Sequence, residues 1–164
     1  VTSLLIGGIM TGEYLISPCQ DVVDTNVRLA KEGFKIATYS GGTADLQKVM
    51  LSCVEVKTMG CSTLAQLIAD DKVGAGFHCK RTFGKKTEPE SYLTAAKYFG
   101  DQGLSLAYWI TDGIGEAQAC KLALESNPHL FATGMKVVCI NRTSPEMETG
   151  EGILMIPKLD YRLL

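Results

Sequence analysis

The chain has 164 residues, with 46% apolar and 21% charged side chains and a net charge of -2. That balance belongs to a folded globular domain and excludes bulk disorder, collagen and a coiled-coil rod. It shows no basic excess of the kind a nucleic-acid binder carries, and no apolar run nears the roughly 18 residues of a membrane helix.

Ser3–Ile6 is a short apolar strand candidate running into Gly7 and Gly8. Asp21–Glu32 reads as a helix: Val22, Val23, Val27 and Leu29–Ala30 give an apolar face and Gly33 a stop. Phe34–Tyr39 reads as a buried strand, and Ser40–Thr43 as a turn whose Thr43 hydroxyl caps a helix over Ala44–Leu51. Ser62 or Thr63 starts a short helix to Ala69, and Asp70–Lys85 is a strand-and-loop region. Thr87-Glu-Pro-Glu90 has the form of a capping box with proline in the first turn, predicting a helix to Phe99 that stops at Gly100. Leu104–Ile110 is the next strand, Gly115–Glu125 the next helix, and Val137–Ile140 and Ile153–Ile156 two further strands. Alternation of this kind predicts an α/β fold, a Rossmann-like three-layer sandwich with a mainly parallel sheet. Met50, Tyr92, Tyr98 and Trp109 fall in core-like patterns and are assigned to packing.

Six cysteines (19, 53, 61, 79, 120 and 139) form no C-x-x-C pair, and only His78 and His129 could extend a zinc set. Reduced, mostly buried thiols in an intracellular, reducing compartment are expected, cytoplasmic or mitochondrial. The chain opens on Val1 without Met, which reads as a mature form with a presequence removed, a fragment or an incomplete chain.

Ligands of parallel sheets bind at the carboxyl ends of strands, and three such ends carry chemistry. Ser40-Gly41-Gly42-Thr43 puts a hydroxyl and exposed backbone N–H groups at a helix start, which can cradle an anion or simply make a tight turn. Gly84-Lys85-Lys86-Thr87 offers a lysine before a helix, a point charge for phosphate or a solvated loop lysine. Thr111-Asp112-Gly113 ends an apolar strand in a carboxylate suited to Mg²⁺ or to capping the next helix; Glu116 follows near that helix's start.

Hydroxyl, lysine and aspartate in this order resemble the haloacid-dehalogenase-like (HAD) phosphatases, and most nearly the enolase-phosphatase (acireductone synthase) family of methionine salvage. Residues Gly33–Lys48 resemble that family's strand, Tyr-Ser-Ser-Gly-Ser turn and Gln-Lys helix. Gly84–Tyr92 resembles its Gly-x-Lys-x-Glu-x-x-Ser-Tyr segment, and Thr111-Asp112 with Glu116-Ala117 its Thr-Asp-x-x-x-Glu-Ala stretch. The resemblance covers about residues 20–140. It implies that Ser40, with Gly41 and Gly42, hydrogen-bonds a phosphoryl oxygen, that Lys86 neutralises charge there, and that Asp112 holds Mg²⁺. One domain over 1–164, a HAD-like core without a cap domain, is the expected organisation.

Such enzymes need an Asp-x-Asp pair after the first strand, the first aspartate forming an aspartyl-phosphate. The aspartates here are 21, 24, 45, 70, 71, 101, 112 and 160, and none follows an apolar strand as Asp-x-Asp or Asp-x-Glu. In one register the chain lacks the first strand and cap, and Gly8–Tyr14 matches a late Gly-Tyr-x-Ser-Gly segment. In the other, residues 1–12 are a degenerate first strand, with Gly7 and Ile9 in place of both aspartates, and 141–164 a C-terminal extension. The second keeps the central strand, which an open sheet can hardly lose.

The expected function is therefore a non-catalytic HAD-like protein, a structural or interaction subunit within a larger assembly of proteins. The alternative is a Mg²⁺-dependent phosphatase of enolase-phosphatase type whose nucleophile-bearing part lies elsewhere. A third expectation is a phospho-ligand sensor using Ser40 and Lys86. Lys80, Arg81, Lys85 and Lys86 form a local basic patch open to RNA, which the net charge does not indicate.

Overall fold

The computed structural model describes Met10 and residues 18–143, 148–150 and 152–164. The candidate strand Ser3–Ile6 and the glycines Gly7, Gly8 and Gly12 lie outside the described residues, as does the comparison of the two registers. The chain divides into two compact units: one runs to Thr82 and includes Asp160–Leu163, and the other is Phe83–Leu159 with Leu164.

The first unit begins with α1 (Gln20–Lys31), which buries Val23, Thr25, Leu29 and Ala30. Glu32 is its C-cap, and Gly33 follows at φ +93°, a left-handed turn that glycine alone enters without strain. Next come β1 (Ile36–Ser40) and α2 (Ala44–Ser52). The Thr43 hydroxyl accepts the Leu46 N–H at 3.3 Å, as a β-branched hydroxyl residue at an N-cap should. A hairpin, β2 (Glu55–Thr58) and β3 (Cys61–Thr63), leads into α3 (Leu64–Ala69). Thr63, rather than Ser62, caps α3, in a reciprocal box with Gln66. The strand β4 (Gly74–Cys79) then pairs in parallel with β1, placing Ser40 opposite Cys79, and α4 (Lys80–Phe83) is a single turn.

The second unit has α5 (Pro89–Gly100), β5 (Tyr108–Thr111), α6 (Ile114–Ser126), β6 (Lys136–Ile140), β7 (Glu148–Gly150) and β8 (Ile153–Ile156). Its sheet runs β5-β6-β8-β7, parallel except for β7. One core cluster joins Tyr92 and Ala96 of α5, Ala117, Cys120 and Ala123 of α6, and Val137, Cys139 and Ile153 of the sheet. The small side chains of α6 let it lie close on β5 and β6. No helix among the described residues is long and apolar enough to cross a membrane.

Three local expectations are corrected. The capping box at Thr87 does not form: Glu88 is the N-cap and makes no side-chain cap. Pro89 is the cause, because the residue before a proline is pushed to extended backbone, and Glu88 sits at φ -110°, ψ 126°. The ladder of β5 begins at Tyr108 rather than Leu104. Met50 and Tyr98 are exposed, at 37% and 42%, rather than core residues. Tyr98 instead meets Phe83 edge-on, with ring centroids 5.4 Å apart.

His78 is buried on β4, and its Nε2–H donates to the Ala75 carbonyl at 2.7 Å. Burial lowers its pKa below the usual value near 6.5, and the Ala75 bond offsets this only in part. Below about pH 6.5 the unfolded chain therefore takes up a proton that the folded chain resists. Stability is full above that pH and falls as the medium is acidified toward the folded pKa. Melting scans from pH 7.5 to 5 should show His78→Gln losing part of the wild-type slope, which for one group is at most about 1.4 kcal/mol per pH unit. Parallel slopes would contradict a neutral buried imidazole.

Candidate functional site

Ser40 belongs to the first unit; Lys86 and Asp112 belong to the second. In the first, the end of β1 closes on itself. Ser40 Oγ accepts the Gly42 N–H at 3.2 Å, so one of the expected cradle donors is spent inside the turn. Gln47, from the first turns of α2, is buried, and its Nε2 donates to the carbonyls of Gly42 at 3.3 Å and His78 at 2.8 Å. It ties the Ser40–Gly42 turn to the end of β4. In the sequence Gln47 stands only within the segment of family resemblance; its role shows once β4 lies beside β1.

Cys79 stands at the end of β4, partly exposed. Burial raises its pKa, but hydrogen bonds from the backbone of Arg81, Thr82 and Ala44 and from the Thr82 hydroxyl outweigh this and lower it overall. All six thiols are free, but only Cys61, Cys120 and Cys139 are buried, so the thiols are less sheltered than expected. Burial pushes Cys120 up to about 12. Timed iodoacetamide labelling read by peptide mass spectrometry should modify Cys79, Cys19 and Cys53 in the native chain. Cys120 should lag by about a thousandfold on ionisation alone and react fully only on unfolding.

In the second unit Lys86 meets an acid that sequence reading had not paired with it. Its Nζ lies 2.7 Å from Glu116 Oε1, with side chains 24% and 19% exposed. The Thr111 hydroxyl donates to Glu116 Oε2 at 2.6 Å and accepts the Gly113 N–H at 3.1 Å. The base of Lys86 is pinned as well, because the hydroxyl of the fully buried Tyr92 donates to the Lys86 carbonyl at 2.6 Å. Ser91 does the same for Lys85, also at 2.6 Å. Asp112 is exposed beside this cluster and does not cap α6, whose N-cap is Gly113. Cys139, paired with Thr111 across the sheet, has its pKa raised by burial first and then by the charges of Asp112 and Glu116.

Among the described residues, the donors at this strand end do not by themselves complete a Mg²⁺ site. Glu116 spends an oxygen on Lys86 and the other on Thr111, leaving Asp112 as the uncommitted carboxylate. Among the described residues no group of three or more His, Cys, Asp or Glu could hold a metal. Within the basic patch, Lys85 pairs with Glu88 at 3.2 Å and Lys86 with Glu116.

The fold these units define is α/β and Rossmann-like, with mainly parallel sheets and covering helices. The chain is similar to the crystal structure of the UTR4 protein (Unknown transcript 4 protein) from Saccharomyces cerevisiae, with a TM-score of 0.62 and 18% identity over 99% of this chain. It spans 64% of the length of that chain. No family model and no curated protein matches the sequence. At this identity the likeness shows the fold alone.

Proposed function

We propose that the protein is a non-catalytic HAD-like chain that serves as a structural or interaction subunit of a larger protein assembly, in a reducing intracellular compartment. The observation that carries this reading is the sequence itself: phosphoryl transfer through an aspartyl-phosphate needs a carboxylate after the first strand, and no Asp-x-Asp or Asp-x-Glu follows any apolar strand. Purified chain with Mg²⁺ and p-nitrophenyl phosphate should release phosphate at the rate of the buffer control. Enzyme-like turnover, lost in Lys86→Met, would reject the reading.

The second reading is a Mg²⁺-dependent phosphatase of enolase-phosphatase type completed by a nucleophile-bearing segment outside this sequence. The 64% span of the solved chain favours it. In that reading Ser40, Gly41, Gly42 and Lys86 hold the phosphoryl group and Asp112 a metal. A transcript encoding an Asp-x-Asp or Asp-x-Glu motif upstream of Val1 would support it, and one without such a motif would end it.

A further inference from the structure

We propose that Cys79 is a peroxide-modified site, its thiolate oxidised by hydrogen peroxide or a small hydroperoxide to a sulfenic acid whose O–H is received by the buried carboxamide oxygen of Gln47. The inference goes beyond the non-catalytic reading and does not depend on it.

The sulfur stands at the end of β4, partly exposed, where that strand meets the start of α2. The backbone N–H of Ala44, the first residue of α2, is directed at it, as are those of Arg81 and Thr82 in the turn that follows β4. The Thr82 hydroxyl lies 4.0 Å from the sulfur and accepts the Cys79 N–H at 3.5 Å, which leaves its own proton for the sulfur. Every one of these neighbours is a donor, and donors favour a thiolate over a thiol. The other exposed cysteines have no such surroundings. Cys53 spends its S–H on the Val49 carbonyl at 3.6 Å, and Cys19 makes no side-chain cap at the start of α1.

A second observation bears on the oxidised form. Gln47 is 6% exposed and is the one residue that α2 buries. Its Nε2 donates to the Gly42 carbonyl, two residues before Ala44, and to the His78 carbonyl, in the peptide that leads into Cys79. The carboxamide is therefore fixed at the same strand end as the sulfur, and with Nε2 engaged twice its two ends cannot be exchanged. Its Oε1 is buried and accepts from no group. A buried acceptor without a donor is a cost that native structures seldom carry. The O–H of a sulfenic acid on Cys79 supplies the missing donor.

The step balances with peroxide as the oxidant. The thiolate attacks one peroxide oxygen, an S–O bond forms as the O–O bond breaks, and hydroxide leaves to be neutralised by a proton from solvent. Sulfur loses two electrons and the peroxide gains them. The sulfenic acid is reversible by an added thiol, whereas a second oxidation to sulfinic acid is not.

The test exposes the reduced full chain to hydrogen peroxide with dimedone present and follows each cysteine by peptide mass spectrometry. In the native chain Cys79 should be trapped at least about tenfold faster than Cys19 and Cys53, and at a similar rate to them in denaturing urea. Ala44→Pro isolates the donors: proline suits the first helical position, Thr43 before it is already extended at φ -66°, ψ 157°, and only the N–H is lost. It should slow Cys79 severalfold and leave Cys19 unchanged. Gln47→Met keeps the bulk but removes the acceptor, and after a peroxide pulse without dimedone its Cys79 should pass on to sulfinic acid faster than in the wild type. Native Cys79 trapped no faster than Cys19 and Cys53 overturns the proposal, and that comparison needs no variant to fold. A folded Ala44→Pro with the wild-type rate, or a folded Gln47→Met with the wild-type sulfinic yield, also counts against it. Hydrolysis assays read the non-catalytic proposal separately, so either idea can fail alone.

Discussion

Replacing Gly74 by alanine should lower the melting temperature by about 10 °C, the cost of about 3 kcal/mol in a chain of this size. Gly74 opens β4, and its N–H donates to the Asp70 carbonyl at 2.7 Å. An added Cβ would lie 1.9 Å from the Ile68 carbonyl oxygen and 2.8 Å from that of Asp70. These are backbone atoms at the end of α3, and Ile68 itself is only 1% exposed, so neither the strand nor the helix can yield cheaply. The strain falls on the pairing of Ile36 with Gly74 at the start of the β1–β4 ladder, just before the register shift that precedes the Thr38–Phe77 pair. Gly41→Ala is the control: nothing lies within 4 Å of a Cβ there, and melting should be nearly unchanged. Equal losses for the two variants would mean that backbone freedom, not close approach, accounts for the effect.

That close approach was invisible in the sequence, and the reason applies more widely. Local chemistry reads well from residues alone. Thr43 and Thr63 cap the helices they precede, Gly33 ends α1 and the apolar run at Ile153–Ile156 forms a strand with those bounds. Each depends on neighbours a few positions away. The β2–β3 hairpin is hard to read from the sequence because, although Gly60 stands in its turn at φ +76°, the turn's other residue is Met59 at φ +52° and Lys57 within β2 sits at φ +46°, residue types that do not advertise a left-handed backbone. Tertiary contact overrides the local preference there.

The site follows the same division. Ser40, Lys86 and Asp112 stand at or just after strand ends, or before a helix, as spacing predicts. What each does with its charge or hydroxyl depends on partners that spacing does not reveal. Glu116 lies 30 residues beyond Lys86 and meets it only because α5 and α6 pack together. A signal was available: an acid one turn into the helix that follows the Thr111 strand, facing back along that strand. Gln47 carried a weaker one, a polar residue in α2 at a position otherwise facing the core. In both cases burial turned an ordinary surface residue type into a structural tie.

Tyr92 links the core to that site, and two substitutions should separate its contributions. Its ring is fully buried and meets Trp109 edge-on at a centroid distance of 4.9 Å, while its hydroxyl reaches the Lys86 carbonyl. Tyr92→Ala removes both and leaves a cavity among α5, α6 and the sheet, with an expected loss of about 3–5 kcal/mol in denaturant unfolding. Tyr92→Phe keeps the ring contact and removes only the hydrogen bond, which should cost about 1–2 kcal/mol. The telling difference is local. With the ring in place but the hydroxyl gone, amide hydrogen exchange across residues 85–88 should quicken while that of β6 stays slow, because Ser91 alone then ties the segment to α5. If Tyr92→Phe leaves exchange there unchanged, the lysine segment is held by its own turn, and the anchoring assigned to Tyr92 is wrong.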